Sequence, residues 1–132
     1  DGGNLYGTFA LGCCYEKGIG VEKNSQEAVR LYQIASDGGN LNATYELGLC
    51  YQSGIGVEKN PQEAFRLYQI ASDGGNLNGT FALGCCYEDG IGVEKNPQEA
   101  FRLYQIASDG GHAQATKKHN DKQPRSIWRL FS

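Results

Sequence analysis

Two cysteine doublets, Cys13-Cys14 and Cys85-Cys86, together with Cys50, His112 and His119, are the side chains best suited to bind a metal, form a disulfide or attack a substrate. Each of these chemistries demands a spacing. A zinc site draws on C-x2-C or H-x3-H patterns, and neither occurs; neighbouring residues of a helix point about 100° apart and do not converge on one ion. A nucleophilic thiol needs a base beside it, and residues 1–108 contain no histidine. The stretch GIGVEKN lacks the G-K-[ST] ending of a phosphate-binding loop and follows a helical pattern rather than a strand. The expectation is a chain with no catalytic residue, no metal and no cofactor, in which the cysteines are packing residues.

The elements that must carry these residues repeat. A shift of 36 residues superimposes DGGN at 1, 37 and 73, GIGVEKN at 18, 54 and 90, and RLYQIASDGG at 30, 66 and 102. The organisation read from this is three repeats (1–36, 37–72 and 73–108), a partial fourth unit or capping helix (109–123) and an apolar and basic tail (124–132). Repeats one and three differ at 4 of 36 positions, one and two at 9, two and three at 6. A period of this length is the mark of a stacked solenoid, whose units bury their apolar faces against one another.

Each repeat divides into two helices. Helix A runs from Leu5 to Glu16, with Gly18 placed for a left-handed C-terminal conformation. Then Val21 turns inward from the loop and Asn24 stands where a helix N-cap belongs. In repeats two and three Pro61 and Pro97 follow that asparagine, at the first helical position, where the missing N–H costs nothing. Helix B places Ala28, Leu31, Tyr32 and Ala35 on one face and ends at Gly38-Gly39. A glycine in mid-helix costs about 1 kcal/mol relative to alanine, so Gly12, Gly48 and Gly84 point to a second helix packed close against them.

Leu11, Gly12, Tyr15, Gly18, Gly20, Val21, Ala28, Tyr32, Ala35 and Gly39, repeated 36 and 72 residues later, resemble the pattern of the Sel1-like repeat family, relatives of the tetratricopeptide repeats. Asn24, Leu31 and Ser36 and their copies stand where that family has Asp, Trp and Ala. The resemblance implies an all-α solenoid of αα-hairpins forming a right-handed superhelix, used as an adaptor or scaffold for other proteins, with helix A on the concave side and no enzyme activity. Secreted cysteine-rich members join helix A to helix B by disulfides, and here no helix B carries a cysteine. Equivalent cysteines one repeat apart stand roughly 8–10 Å from each other by helix packing, beyond a bridge, so reduced thiols are expected.

Four of the positions at which the repeats disagree lie on one face of helix A. Positions 6, 10, 13 and 17 fall within about 60° of one another on a helical wheel. With their copies they form a stripe: Tyr6, Ala10, Cys13 and Lys17; Asn42, Glu46, Leu49 and Ser53; Asn78, Ala82, Cys85 and Asp89. These are the expected contacts for a protein or peptide partner; neutral drift of exposed positions after duplication is the competing account. Cys14, Cys50 and Cys86 never change and fall on the packing arc with Leu11. That predicts faster thiol labelling at Cys13 and Cys85 than at Cys14, Cys50 and Cys86.

The body, residues 1–108, holds 7 Lys and Arg against 13 Asp and Glu, while residues 109–132 hold 5 against 2. An acidic body excludes a broad nucleic-acid footprint. No apolar run approaches the roughly 20 residues of a membrane span, and the opening letters do not have the basic-then-apolar pattern of a leader. The chain has no Met, from which a fragment or processed form of a longer protein is expected; a regulatory or positioning segment of a larger enzyme or signalling protein is then the alternative function. The cytoplasm is the expected compartment, with the endoplasmic reticulum lumen as the alternative, and the Asn42 and Asn78 sequons are expected to be unmodified. In the tail, Ile127, Trp128, Leu130 and Phe131 cluster beside Arg125 and Arg129. Three outcomes are open to them: sealing the solenoid end, docking in a groove or on a partner (a second copy included), or remaining disordered.

Overall fold

The computed structural model describes residues 4–121, which form seven α-helices; among these residues there is no strand. In chain order they are α1 (Leu5–Lys17), α2 (Ser25–Asp37), α3 (Leu41–Ser53), α4 (Pro61–Asp73), α5 (Leu77–Asp89), α6 (Pro97–Asp109) and α7 (Ala113–Asp121). Each helix packs chiefly on its neighbours in the chain, α1 on α2, α2 on α3 and so on to α7, so the described residues form a solenoid of three helix pairs and a seventh helix.

Local chemistry sets the helix ends. Asn24, Asn60 and Asn96 accept hydrogen bonds from the N–H groups of Glu27, Glu63 and Glu99, capping the B helices, and Pro61 and Pro97 open theirs. The A helices have asparagine caps too, at Asn4, Asn40 and Asn76, bonded to the N–H groups of Gly7, Ala43 and Gly79. The pattern Gly-Gly-Asn-Leu could have announced them: a chain break, a capping side chain and then the first apolar residue. Each cap is worth about 1 kcal/mol. The A helices stop at Gly18, Gly54 and Gly90, whose φ values of 71°, 72° and 74° are left-handed.

The packing inside each pair rests on a glycine under a tyrosine. Tyr32, Tyr68 and Tyr104 are fully buried. A methyl group on Gly12, Gly48 or Gly84 would lie 2.8, 2.6 or 2.7 Å from the Cε1 atom of the matching ring, closer than real contacts allow. The mid-helix glycines thus let helix B approach, as their spacing implied. Between pairs, Ser36, Ser72 and Ser108 hydrogen-bond the hydroxyls of Thr44, Thr80 and Thr116 on the next A helix at 2.6–2.7 Å. Serine in place of the family's alanine therefore gives a polar link across each junction, and it satisfies threonines that are nearly or fully buried at 44 and 80.

Two expectations about the packing arc need correction. Leu11 is 43% exposed although Leu47 and Leu83 are 0% and 2%, and Cys14 is half-buried although Cys50 and Cys86 are buried. Among the described residues no helix packs on the side of α1 that corresponds to the α2-facing side of α3.

Candidate functional site

The A helices α1, α3 and α5 carry the variable stripe, and the structure divides it into open ends and a recessed middle. Tyr6 is 74% exposed, and Lys17, Asn42, Ser53, Asn78 and Asp89 are exposed as well. Ala10, Cys13, Glu46, Leu49 and Cys85 are half-buried. Cys13 packs against the core around Tyr32 and Leu47, and Leu49 against the core around Tyr68 and Leu83. Ala82, expected on the binding face, belongs instead to that second core and is 9% exposed. A 100° wheel places it on the stripe, but the side chains of the preceding A helix, Leu49 and Tyr45, lean over the same cluster.

Two stripe residues also link the repeats. Asn76 Nδ2 donates to Asn42 Oδ1 at 3.0 Å, so the residue that caps α5 also reaches back to α3. One repeat later His112 does both jobs. Ala115 N–H donates to its Nδ1 at 3.1 Å, which leaves Nε2 of the neutral ring as the donor to Asn78 Oδ1 at 3.0 Å. The ring also stacks on Phe81 with centroids 4.7 Å apart. Tyr6 occupies the corresponding place in α1. The signal in the sequence was the 36-residue register itself, which aligns His112 with Asn76.

Charge is gathered at the C-terminal ends of the A helices. The Tyr32 hydroxyl donates to Glu16, that of Tyr68 to Gln52 at 2.6 Å and that of Tyr104 to Glu88. Lys118 Nζ reaches Glu88 at 3.3 Å from α7. Burial raises the Glu46 carboxyl above the ordinary glutamate range; repulsion from Glu16 adds to this and Lys17 opposes it. Lys117 and Lys118 belong to the segment expected to cap the stack. They border, with Gln114, Asp121, Phe81 and Glu88, a recess of about 490 Å³ at the C-terminal end of the stack.

The thiols offer no reactive centre among the described residues. All five cysteines are free. Burial pushes Cys50 and Cys86 up to about 12, so both are neutral thiols at physiological pH and act as small apolar side chains. No group of three or more His, Cys, Asp or Glu side chains among the described residues is arranged to hold a metal ion, and no helix there is long and apolar enough to cross a membrane. Ile127, Trp128, Leu130 and Phe131 lie outside the described residues.

Three comparisons bear on this arrangement. The family model of the Sel1 repeat matches residues 5–40, 41–76 and 78–112. A Sel1 repeat protein from Oxalobacter formigenes is 34% identical with a TM-score of 0.82; the match covers 88% of this chain and 46% of that one. The protective antigen c5321 of uropathogenic Escherichia coli, which displays the same repeat fold, is 28% identical with a TM-score of 0.82, over 86% of this chain and 24% of that one. The chain thus spans about half the length of the first and a quarter of the second. Helicobacter pylori cysteine rich protein B, 21% identical with a TM-score of 0.69 over 88% and 95% of the two chains, shares the fold. No curated protein matches the chain.

Proposed function

The chain belongs to the Sel1 repeat family, and from that premise we propose that it is a non-enzymatic scaffold that holds a protein or peptide along the concave, helix A stripe. Sel1 repeats are non-catalytic units that serve in protein interaction; the surface and the partner are the proposed part. One observation carries it. The exposed ends of the stripe differ between repeats, Tyr6 against Asn42 and Asn78 at one end and Lys17, Ser53 and Asp89 at the other, while the buried Tyr32, Tyr68 and Tyr104 and the glycines beneath them are the same in all three. Basic, neutral and acidic side chains in succession at that second end would give an extended partner a direction.

A photo-crosslinking residue placed at Ser53 tests the surface, with one at the exposed Gln33 on α2 as control. The expected outcome is a partner crosslinked from position 53, not from 33, and lost in the variant Tyr6→Ala/Lys17→Glu/Asp89→Lys with helicity unchanged. Equal crosslinking from both positions, or binding indifferent to the triple variant, excludes the stripe as the site.

A further inference from the structure

The two internal junctions of the solenoid show what the outer surface of a B helix normally carries. Phe65 on α4 meets the ring of Tyr87 edge-on, with centroids 5.5 Å apart. The Gly-Ile-Gly-Val loop of the same following repeat lies against the start of α4 so closely that a methyl on Gly92 would stand 2.3 Å from the Pro61 carbonyl oxygen. The loop of repeat two presses on α2 in the same way, with Gly56 against the Ser25 carbonyl oxygen and Val29.

The corresponding surface of α6 is built for the same cover. Phe101 is the copy of Phe65 and Pro97 of Pro61. Helix α7, described as far as Asp121, reaches Phe101 with the ring of His119, stacked at 4.4 Å. The residue in the register of Tyr87 is Gln123, and the register of the Gly-Ile-Gly-Val loop, 126–129, reads Ser-Ile-Trp-Arg. Beside Phe101 lies a recess of about 360 Å³ lined by Pro97, Gln98, Ala100, Phe101, Tyr104 and Glu88.

We propose that this recess is a binding site for an aromatic, basic peptide and that its occupant is the chain's own segment Arg125–Phe131. Three features select that segment. It is within reach: Ile127 is six Cα-to-Cα steps beyond Asp121, and an extended chain of that length spans about 20 Å, while His119, two residues before Asp121, already touches the recess. It is apolar in the required way, with Ile127, Trp128, Leu130 and Phe131 to stand in for the tyrosine and the loop isoleucine and valine of a full repeat. It is basic, through Arg125 and Arg129, where the body of the chain is acidic. The segment would close the stack by imitating the next repeat, at a place separate from the helix A stripe.

Trp128 is the only tryptophan, which makes the test direct on the full chain. The expected result is Trp128 emission that is blue-shifted and shielded from acrylamide in the folded protein, at every concentration. Phe101→Glu, and separately Gln98→Arg at an exposed position of the rim, should return the emission to that of the urea-unfolded chain while far-UV circular dichroism keeps its helical signal. Gln98→Arg serves if Phe101→Glu does not fold. Solvent-like emission in the wild-type chain overturns the proposal, as does a blue shift indifferent to a folded rim variant. A blue shift that appears only as concentration rises overturns the docking within one chain and assigns the segment to the recess of a second copy.

Discussion

Repeats one and two contain the same leucine, cysteine and glycine at equivalent places, and the structure treats them differently. Leu11 is 43% exposed and Leu47 0%; Cys14 is half-buried and Cys50 2% exposed. A methyl on Gly20 would meet nothing within 4 Å, while one on Gly56 would meet the Ser25 carbonyl oxygen at 2.4 Å. The cause is the neighbour. Leu47, Cys50 and Gly56 face α2, and no described helix stands in that relation to α1. In a stack held by nearest-neighbour interfaces, a residue's contribution belongs to its junction as much as to its own repeat.

The comparison breaks most visibly under truncation of the leucines. Leu47→Ala should cost about 2–5 kcal/mol, as for a buried leucine, and Leu11→Ala roughly 1 kcal/mol or less because water already reaches it. Urea titrations followed by circular dichroism give both values, and equal losses would show that the α1 face is covered in solution. Thiol labelling followed by mass spectrometry sharpens the same contrast. Cys13 and Cys14 should react first, Cys85 more slowly because burial raises its thiol pKa as well, and Cys50 and Cys86 only after local opening, since burial both hides them and keeps them protonated at labelling pH. Protection of Cys14 equal to that of Cys50 would contradict the difference between the two repeats.

The smallest effect concerns Glu46, whose counterparts in the other repeats are Ala10 and Ala82. Its folded pKa lies above the unfolded value, so the folded state holds its proton more tightly. Stability therefore falls as pH rises from the unfolded pKa through the folded one, and the penalty persists above that window. Glu46→Gln should raise stability at neutral pH by up to about 0.5 kcal/mol and change it little below the unfolded glutamate pKa. Melting curves at acid and neutral pH check this; a neutral-pH loss of stability would mean that Lys17 outweighs burial and Glu16.

Much of the architecture was legible in the letters. Gly18, Asn24, Pro61 and the close helix approach at Gly12 depend on chemistry within one repeat, and each does what its residue type and spacing foretold; that Tyr32 is the side chain over Gly12 came from the structure. The proposed binding face was legible only in outline. Its exposed ends, from Tyr6 to Asp89, follow from helical periodicity, but Ala82 is lost to the core and Leu49 and Cys13 lean into it. A wheel describes one helix, whereas these side chains lie between two. The second role of Asn42 and Asn78, as hydrogen-bond partners of the next cap, was hidden for the same reason.

What the sequence by itself determined is the period, the helix boundaries and the pairing of helices, because caps, left-handed glycines and apolar spacing depend on atoms a few residues apart. Only the tertiary structure decided which copy of a repeated residue is buried, which stripe positions remain accessible and where the stack is left with a recess. Those properties depend on surface shared between repeats, and identical letters have no way to record which neighbour they will meet.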